Sequence, residues 1–312
     1  MVTMKRLAPI ALVLTVPALA DSPHQPFTLT QTGQAFATLQ AAVNAIGDKR
    51  GTIAIAPGTY HDCAVQSAGD VTFIATTPGA AVFDTTLCEG KAALVLRGHS
   101  ARIEGLVFQN MRVADGNGSG IRLEHGDLVV HQGWFRDSEE GILSGDDPAA
   151  SVLIEQSTFT RLGRCDRGLS CAHSVYFGGI GQVIVRNSRF EAGSGGHYVK
   201  SRSVHIDVVD SSFDDSAGHG TNYMIDVSNG ATGVIRGNWF VGGSDKENRT
   251  TMISNAPEGR KNTADGLLIE DNVARLVPTA NYNTAFLADW SGDAIRLGAN
   301  TVGTGIRRFD HK

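Results

Sequence analysis

Between residues 173 and 242, apolar and polar positions recur in three consecutive segments built to one plan: HSVYFGGIGQVIVRNSRFEAGSGG, HYVKSRSVHIDVVDSSFDDSAGHG and YMIDVSNGATGVIRGNWFVGG. Each holds a short alternating run, a glycine or polar turn and a Val/Ile-rich run. A small polar corner (Asn187, Asp210, Asn238) and a Phe (Phe190, Phe213, Phe240) close it. Alternation predicts strands with one buried face. A period of 23 to 27 residues predicts stacked supersecondary units rather than a single globular core. One large-apolar slot continues through Phe83, Phe108, Phe135, Phe159, Phe190, Phe213, Phe240, Ala274 and Val302, at intervals of 23 to 34 residues. The corner before it reads Gln132, Gln156, Asn187, Asp210, Gly237 and Asp271. Stacked corners of that composition predict side-chain ladders that satisfy buried backbone groups. The long intervals predict insertions near Arg161–Ala172 and Ser244–Lys261, and insertions on one turn face mark a binding side.

Ahead of the strands, Phe36, Leu39, Val43 and Ile46 recur at helical spacing and Gly47 is a C-cap candidate. This predicts a short helix over 36–47 that caps the open apolar end of the stack. The expected fold class is therefore all-β, a solenoid of about nine coils over residues 51–305, with one N-terminal helix. No second domain is called for within 21–312. Met1–Ala20 carries Lys5 and Arg6, an apolar run and Ala18-Leu19-Ala20, the pattern of a secretory signal peptide. No later stretch is apolar for long enough to span a bilayer. The expectation is an exported, soluble protein without a membrane partner.

Composition refines this in two ways. Among 312 residues there are 37 glycines, which suits many turns. The net charge is −5, and removing Lys5 and Arg6 takes it to −7, which argues against a nucleic-acid partner. Four cysteines in an exported chain read as two disulfides. Cys63 and Cys88 lie about one repeat apart, and Cys165 and Cys171 share one polar segment.

The opening strands GTIAIAPGTY, the Phe108-to-Phe240 ladder and the IVRNSRF, DVVDSSF and VIRGNWF corners resemble the right-handed parallel β-helix superfamily, the pectate-lyase-like proteins. The resemblance covers about residues 30–305, and HSVY and GHYVKSR resemble a bacterial exported subgroup of it. It implies a right-handed parallel β-helix and an acidic polysaccharide as the partner, although fold does not dictate function. Gly145-Asp146-Asp147 and Gly218-His219-Gly220 match fragments of the polygalacturonase signature, but they stand 73 positions apart, about three coils. The histidine-and-arginine blocks of pectate lyases and the DPH motif of alginate epimerases are not found. Asp115-Gly-Asn117-Gly-Ser119-Gly120 opens like a calcium loop, yet its twelfth position is Gly126. Calcium stays open as a cofactor, and no other is called for.

The candidate chemistry lies on the 197–202 strand and its neighbours. With Val199 inward, alternation sends Tyr198, Lys200 and Arg202 outward, and Tyr176 and Asp226 fall one coil to either side of Lys200. β-Elimination of a uronate polymer needs a cation for the carboxylate, a base for the proton α to it and an acid for the leaving oxygen. Arg202 suits the first role, Lys200 or Tyr176 the second, and Tyr198 or Tyr176 the third. Asp226 orients or neutralises Lys200, and in the latter case the two make an ordinary exposed ion pair. His173 and His197 share the parity of Val175 and Val199, so they are either a stacked, hydrogen-bonded corner pair or part of the site. Arg122, Glu124 and Ser144 fall in roughly the same column on earlier coils, as subsite candidates. The bland alternative is that these charges form a solvated strand face.

The leading expectation is a monomeric polysaccharide lyase. The alternatives are a glycoside hydrolase or epimerase, and a non-catalytic glycan-binding β-helix. Hydrolysis wants two opposed carboxylates, and only Asp226 is well placed in the sequence.

Overall fold

The computed structural model describes residues 1, 2 and 25–312, so the leader through Ala20 falls outside the described residues apart from Met1 and Val2. The chain winds through three sheets in rotation. Sheet A has twelve strands, and sheets B and C have ten each. From residue 50 onward each coil contributes one strand to A, then B, then C, and like strands pair in parallel with the coil before and after. Sheet A receives Ile180–Arg186 and His205–Val209, sheet B receives Arg189–Glu191 and Ser212–Asp214, and sheet C receives Val175–Phe177, Val199–Ser201 and Ile225–Val227. About nine turns result, as the repeat predicts.

The slot read from the sequence is the inward column of sheet B. Phe83 to Phe240 pair in register coil by coil, and Ala274 and Val302 follow. Successive rings from Phe83 to Phe240 stack with centroids 4.6 to 5.6 Å apart, and every one is buried. A ring at each coil fills the axis at the stacking distance that the strands impose.

The predicted corners are left-handed. Gln132, Gln156, Asn187, Asp210, Gly237 and Asp271 have φ between +49° and +69°, the region that glycine and Asn/Asp enter at least cost. The expected ladder of side chains exists, but it lies one residue further on. The Oγ atoms of Ser157, Ser188 and Ser211 accept the amides of Gly133, Ser157 and Ser188, the residues that follow the corner on the preceding coil. Asn238, Asn272 and Asn300 continue the series with their Oδ1 atoms. The left-handed residue turns its own side chain outward, so its successor points at the stack.

At the N-terminal end a helix runs over Leu39–Ile46, shorter than the expected 36–47. Thr38 caps it, Leu39, Ala42, Val43 and Ile46 are buried, and Phe36 belongs to a short strand instead. Gln40 bonds both backbone groups of Val65, which fastens the helix over the first strand of sheet C. The first edge of sheet A is covered by Phe27–Leu29, which pairs antiparallel with Ile53–Ile55. Both disulfides form as expected, Cys63–Cys88 across a coil and Cys165–Cys171 within one loop. The insertion expected over Ser244–Lys261 is two loops, 243–250 and 256–267, separated by the sheet C strand Thr251–Asn255. Ser119–Leu123 is also a strand, so the residues that open like a calcium loop do not continue as one. No helix among the described residues is long and apolar enough to cross a membrane.

Candidate active site on sheet C

The outward column of sheet C runs Arg122, Leu143, Tyr176, Lys200, Asp226, Ser254 in direct register. Tyr176 and Asp226 therefore flank Lys200 as the alternation predicts. The Lys200 ammonium donates to Asp226 Oδ2 at 3.0 Å, and its ζ-nitrogen and the Arg202 guanidinium carbon lie 5.6 and 5.0 Å from the Tyr176 ring centroid. The pair is not the exposed one expected: Lys200 is 6% and Asp226 1% exposed. Asp226 is fully engaged, since Ser228 Oγ donates to its Oδ2 and Ser254 Oγ to its Oδ1, each at 2.8 Å.

A residue that sequence reading missed completes the cluster. Glu258, from the 256–267 loop of the next coil, accepts from Lys200 Nζ at 2.5 Å and from Arg202 Nε and Nη2 at 2.8 and 2.6 Å. Burial works against a charged Lys200, but Asp226 and Glu258 outweigh it and hold its pKa above the ordinary lysine value. This arrangement favours the charged lysine over the neutral base, which leaves Tyr176 as the other candidate for that role. For Glu258, burial acts upward, and the two cations outweigh it and lower its pKa.

His173 and His197 stack at 4.7 Å, and Tyr223 continues the file at 5.2 Å. The backbone amide of His197 donates to His173 Nδ1, and that of Tyr223 donates to His197 Nδ1. Each neutral ring must then carry its proton on Nε2, which leaves no free lone pair for a base. His197 Nε2 lies 3.5 Å from Asp226 Oδ2. Burial pushes both histidines well below the ordinary value, helped at His197 by Lys200. The stacked corner pair is what forms.

Three other expectations fail on register. Tyr198 faces the core: it is 1% exposed, and its hydroxyl donates to buried Asp215 and accepts the Gly193 amide. Alternation holds only inside the strand Val199–Ser201, and Tyr198 lies in the corner before it. Ser144 stands in the file of Leu123, not Arg122, and donates to the Gly145 carbonyl. Glu124 lies beyond the strand and is tied up by Lys91 and Arg97. Arg122 is in the column, and its buried Nε has no hydrogen-bond partner.

Glu140 was also missed. It precedes Ile142 as His173 precedes Val175, so continuing the histidine file one coil back would have found it. One of its oxygens takes the His173 amide at 3.4 Å, the other has no partner, and burial raises its pKa well above the ordinary range.

Together these residues can hold a carboxylate between two cations beside a tyrosine. The β-solenoid topology fits the parallel β-helix superfamily. Among solved structures, a pectin methylesterase from Aspergillus niger is similar at 12% identity, covering 91% of this chain and 88% of that one, with a TM-score of 0.49. ORF18 of Geobacillus virus E2 is similar at 13% identity, over 88% of this chain and 56% of that one, with a TM-score of 0.45. A PL6 alginate lyase complexed with a trisaccharide is similar at 14% identity, over 81% and 55%, with a TM-score of 0.45. No family model matches the chain, and no curated protein matches it in sequence. Likenesses this distant concern the winding of the chain, and function must be argued from the site.

Proposed function

We propose that this parallel β-helix acts on an acidic glycan, binding it along sheet C and cleaving it at a uronate by β-elimination. The observation that carries the reading is the clasp of Lys200 and Arg202 around one carboxylate, that of Glu258. Such a clasp is the group a uronate carboxylate requires. In this reading Lys200 and Arg202 neutralise the carboxylate and stabilise the enolate-like intermediate. Asp226 keeps Lys200 in place. Tyr176 transfers the proton: as its phenolate it takes the hydrogen from the carbon α to the carboxylate, and the electrons of that bond form the carbon–carbon double bond. The glycosidic oxygen leaves with its bonding pair and takes the proton from the Tyr176 hydroxyl so formed, which restores the phenolate. The Tyr176 hydroxyl makes no hydrogen bond among the described residues and is available for this. Two disulfides support an oxidising compartment, and hence export.

Hydrolysis has one observation in its favour. Asp226 and Glu258 share the Lys200 ammonium, which brings two carboxylates within about 5.5 Å, the spacing of retaining glycosidases. Asp226 is nevertheless sealed from a sugar by its four partners. The deciding experiment follows the ultraviolet absorbance of unsaturated uronate ends on a panel of acidic polysaccharides, with and without calcium. The rise should fall about 10²- to 10³-fold in Arg202→Ala and Tyr176→Phe. New reducing ends without that absorbance would replace elimination with hydrolysis, and binding without either product would make the protein a glycan-binding module.

A further inference from the structure

We propose that Glu258 is a built-in occupant of the carboxylate site. A ligand carboxylate reaches Lys200 and Arg202 by exchanging with the Glu258 side chain, which makes this residue a determinant of ligand charge specificity. The inference rests on the reading of Lys200 and Arg202 as the receptor for an acidic sugar and deepens it.

Four features of the cluster support exchange. Lys200 keeps Asp226 whether or not Glu258 is present, and Asp226 is held by Ser228 and Ser254, so the receptor retains its shape. The side chains of Lys200 and Asp226 are 8% and 2% exposed, whereas that of Glu258 is 37% exposed. The part that can leave is therefore the part facing solvent. The backbone under Glu258 is fastened: its amide donates to the Ser228 carbonyl, the Lys261 amide to the Asn229 carbonyl, and the Asn229 side chain to the Gly259 carbonyl. Exchange thus requires only rotation between side-chain rotamers, not opening of the loop. Finally, a cavity of about 240 Å³ lies against Arg202, lined also by Asn229, Lys261 and Asn262. Asp146 lines it too, with its Oδ1 taken by the Gly179 amide, and Lys261 makes no ion pair among the described residues, so the cavity offers a cation to an incoming or displaced carboxylate.

Charge supplies the selectivity. Lys200 and Arg202 are balanced by Asp226 and Glu258, and turning Glu258 away leaves the cluster at +1. A neutral sugar offers nothing to replace that lost charge, while a uronate does. A tethered competitor acts at an effective concentration in the millimolar range or above, so an isolated monocarboxylate binds feebly and a polymer with further contacts prevails.

The test is calorimetric titration of glucuronate into the wild-type protein, Glu258→Gln, Glu258→Ala and Glu258→Ala/Arg202→Ala. Exchange predicts at least tenfold tighter binding in Glu258→Ala, a smaller gain in Glu258→Gln and loss of binding in the double variant. The alanine variant matters because a glutamine carbonyl can still occupy the cations. Affinity in Glu258→Ala equal to or weaker than wild type overturns the proposal. Tightened glucuronate binding with no glycan cleaved upholds exchange and removes the lyase reading. Cleavage with unchanged glucuronate affinity in Glu258→Ala retains the lyase and discards exchange.

Discussion

Sheets A and C are made by the same coils, yet their outward faces differ. In sheet A the outward file Thr52, Thr72, Arg102, Val129, Leu153, Ile184, Asp207, Val234 is half-buried throughout, alternating with a fully buried inward file. In sheet C the outward positions Leu143, Lys200, Asp226, Ser254 and Ala288 are buried, while Arg122 and Tyr176 of the same column stay half-buried. The turns that enter sheet C run to seven residues or more on most coils and the 256–267 loop leaves it, whereas most A-to-B corners are one or two residues. Polar groups on sheet A can rely on water. Those on sheet C must satisfy one another, which is why its charges form a closed cluster with specific partners.

The largest test of this contrast is removal of one outward carboxylate from each sheet. Asp226→Ala takes the buried partner from Lys200 and leaves it only the partly exposed Glu258, which should cost up to about 3–5 kcal/mol, while Asp207→Ala on sheet A should cost about 1 kcal/mol or less. Denaturant midpoints measure both, and equal losses would erase the distinction. Inward positions supply the control. Ile142→Ala on sheet C and Ile154→Ala on sheet A are both fully buried, and each should lose about 2–5 kcal/mol. A marked inequality there would mean that the sheets differ in core packing rather than in outer cover.

Titration gives a smaller, graded effect. The buried histidines have folded pKa values below their unfolded value of about 6.5, so the unfolded chain binds more protons as the pH falls through that point. Stability should therefore be full above pH ~6.5 and decline below it, by at most about 1.4 kcal/mol per pH unit for each ring. His197→Gln should flatten that slope, and an unchanged slope would show that the stacked file does not govern acid sensitivity. The smallest effect belongs to Thr72→Ala on the open face of sheet A, expected within about 0.5 kcal/mol.

Much of this was legible before any coordinates. The Phe slot, the corner positions, the Cys63–Cys88 bridge and the Tyr176–Lys200–Asp226 column follow from a regular repeat, because in-register stacking converts sequence spacing into spatial adjacency, while the cap helix and the Cys165–Cys171 loop follow from local spacing. The reading failed where regularity stops. Tyr198 was misassigned because alternation was extended past the end of a three-residue strand. Ser144 and Glu124 were misassigned for want of one or two places of register on coils whose turns differ in length.

What the sequence determined by itself is thus the periodic part: the coil, its stacked core and the side chains that recur at one register. These are local in the sense that each coil repeats its neighbour's pattern. Only the tertiary structure decided that Lys200 and Asp226 are buried, that Lys200 is a held cation and that Glu258 occupies Arg202. Glu258 lies 58 residues from Lys200 on a loop of irregular length, and no period relates them. Loops that cover a sheet are placed by their own hydrogen bonds to it, so the environment that governs charge and access at sheet C emerges only after the whole stack has formed.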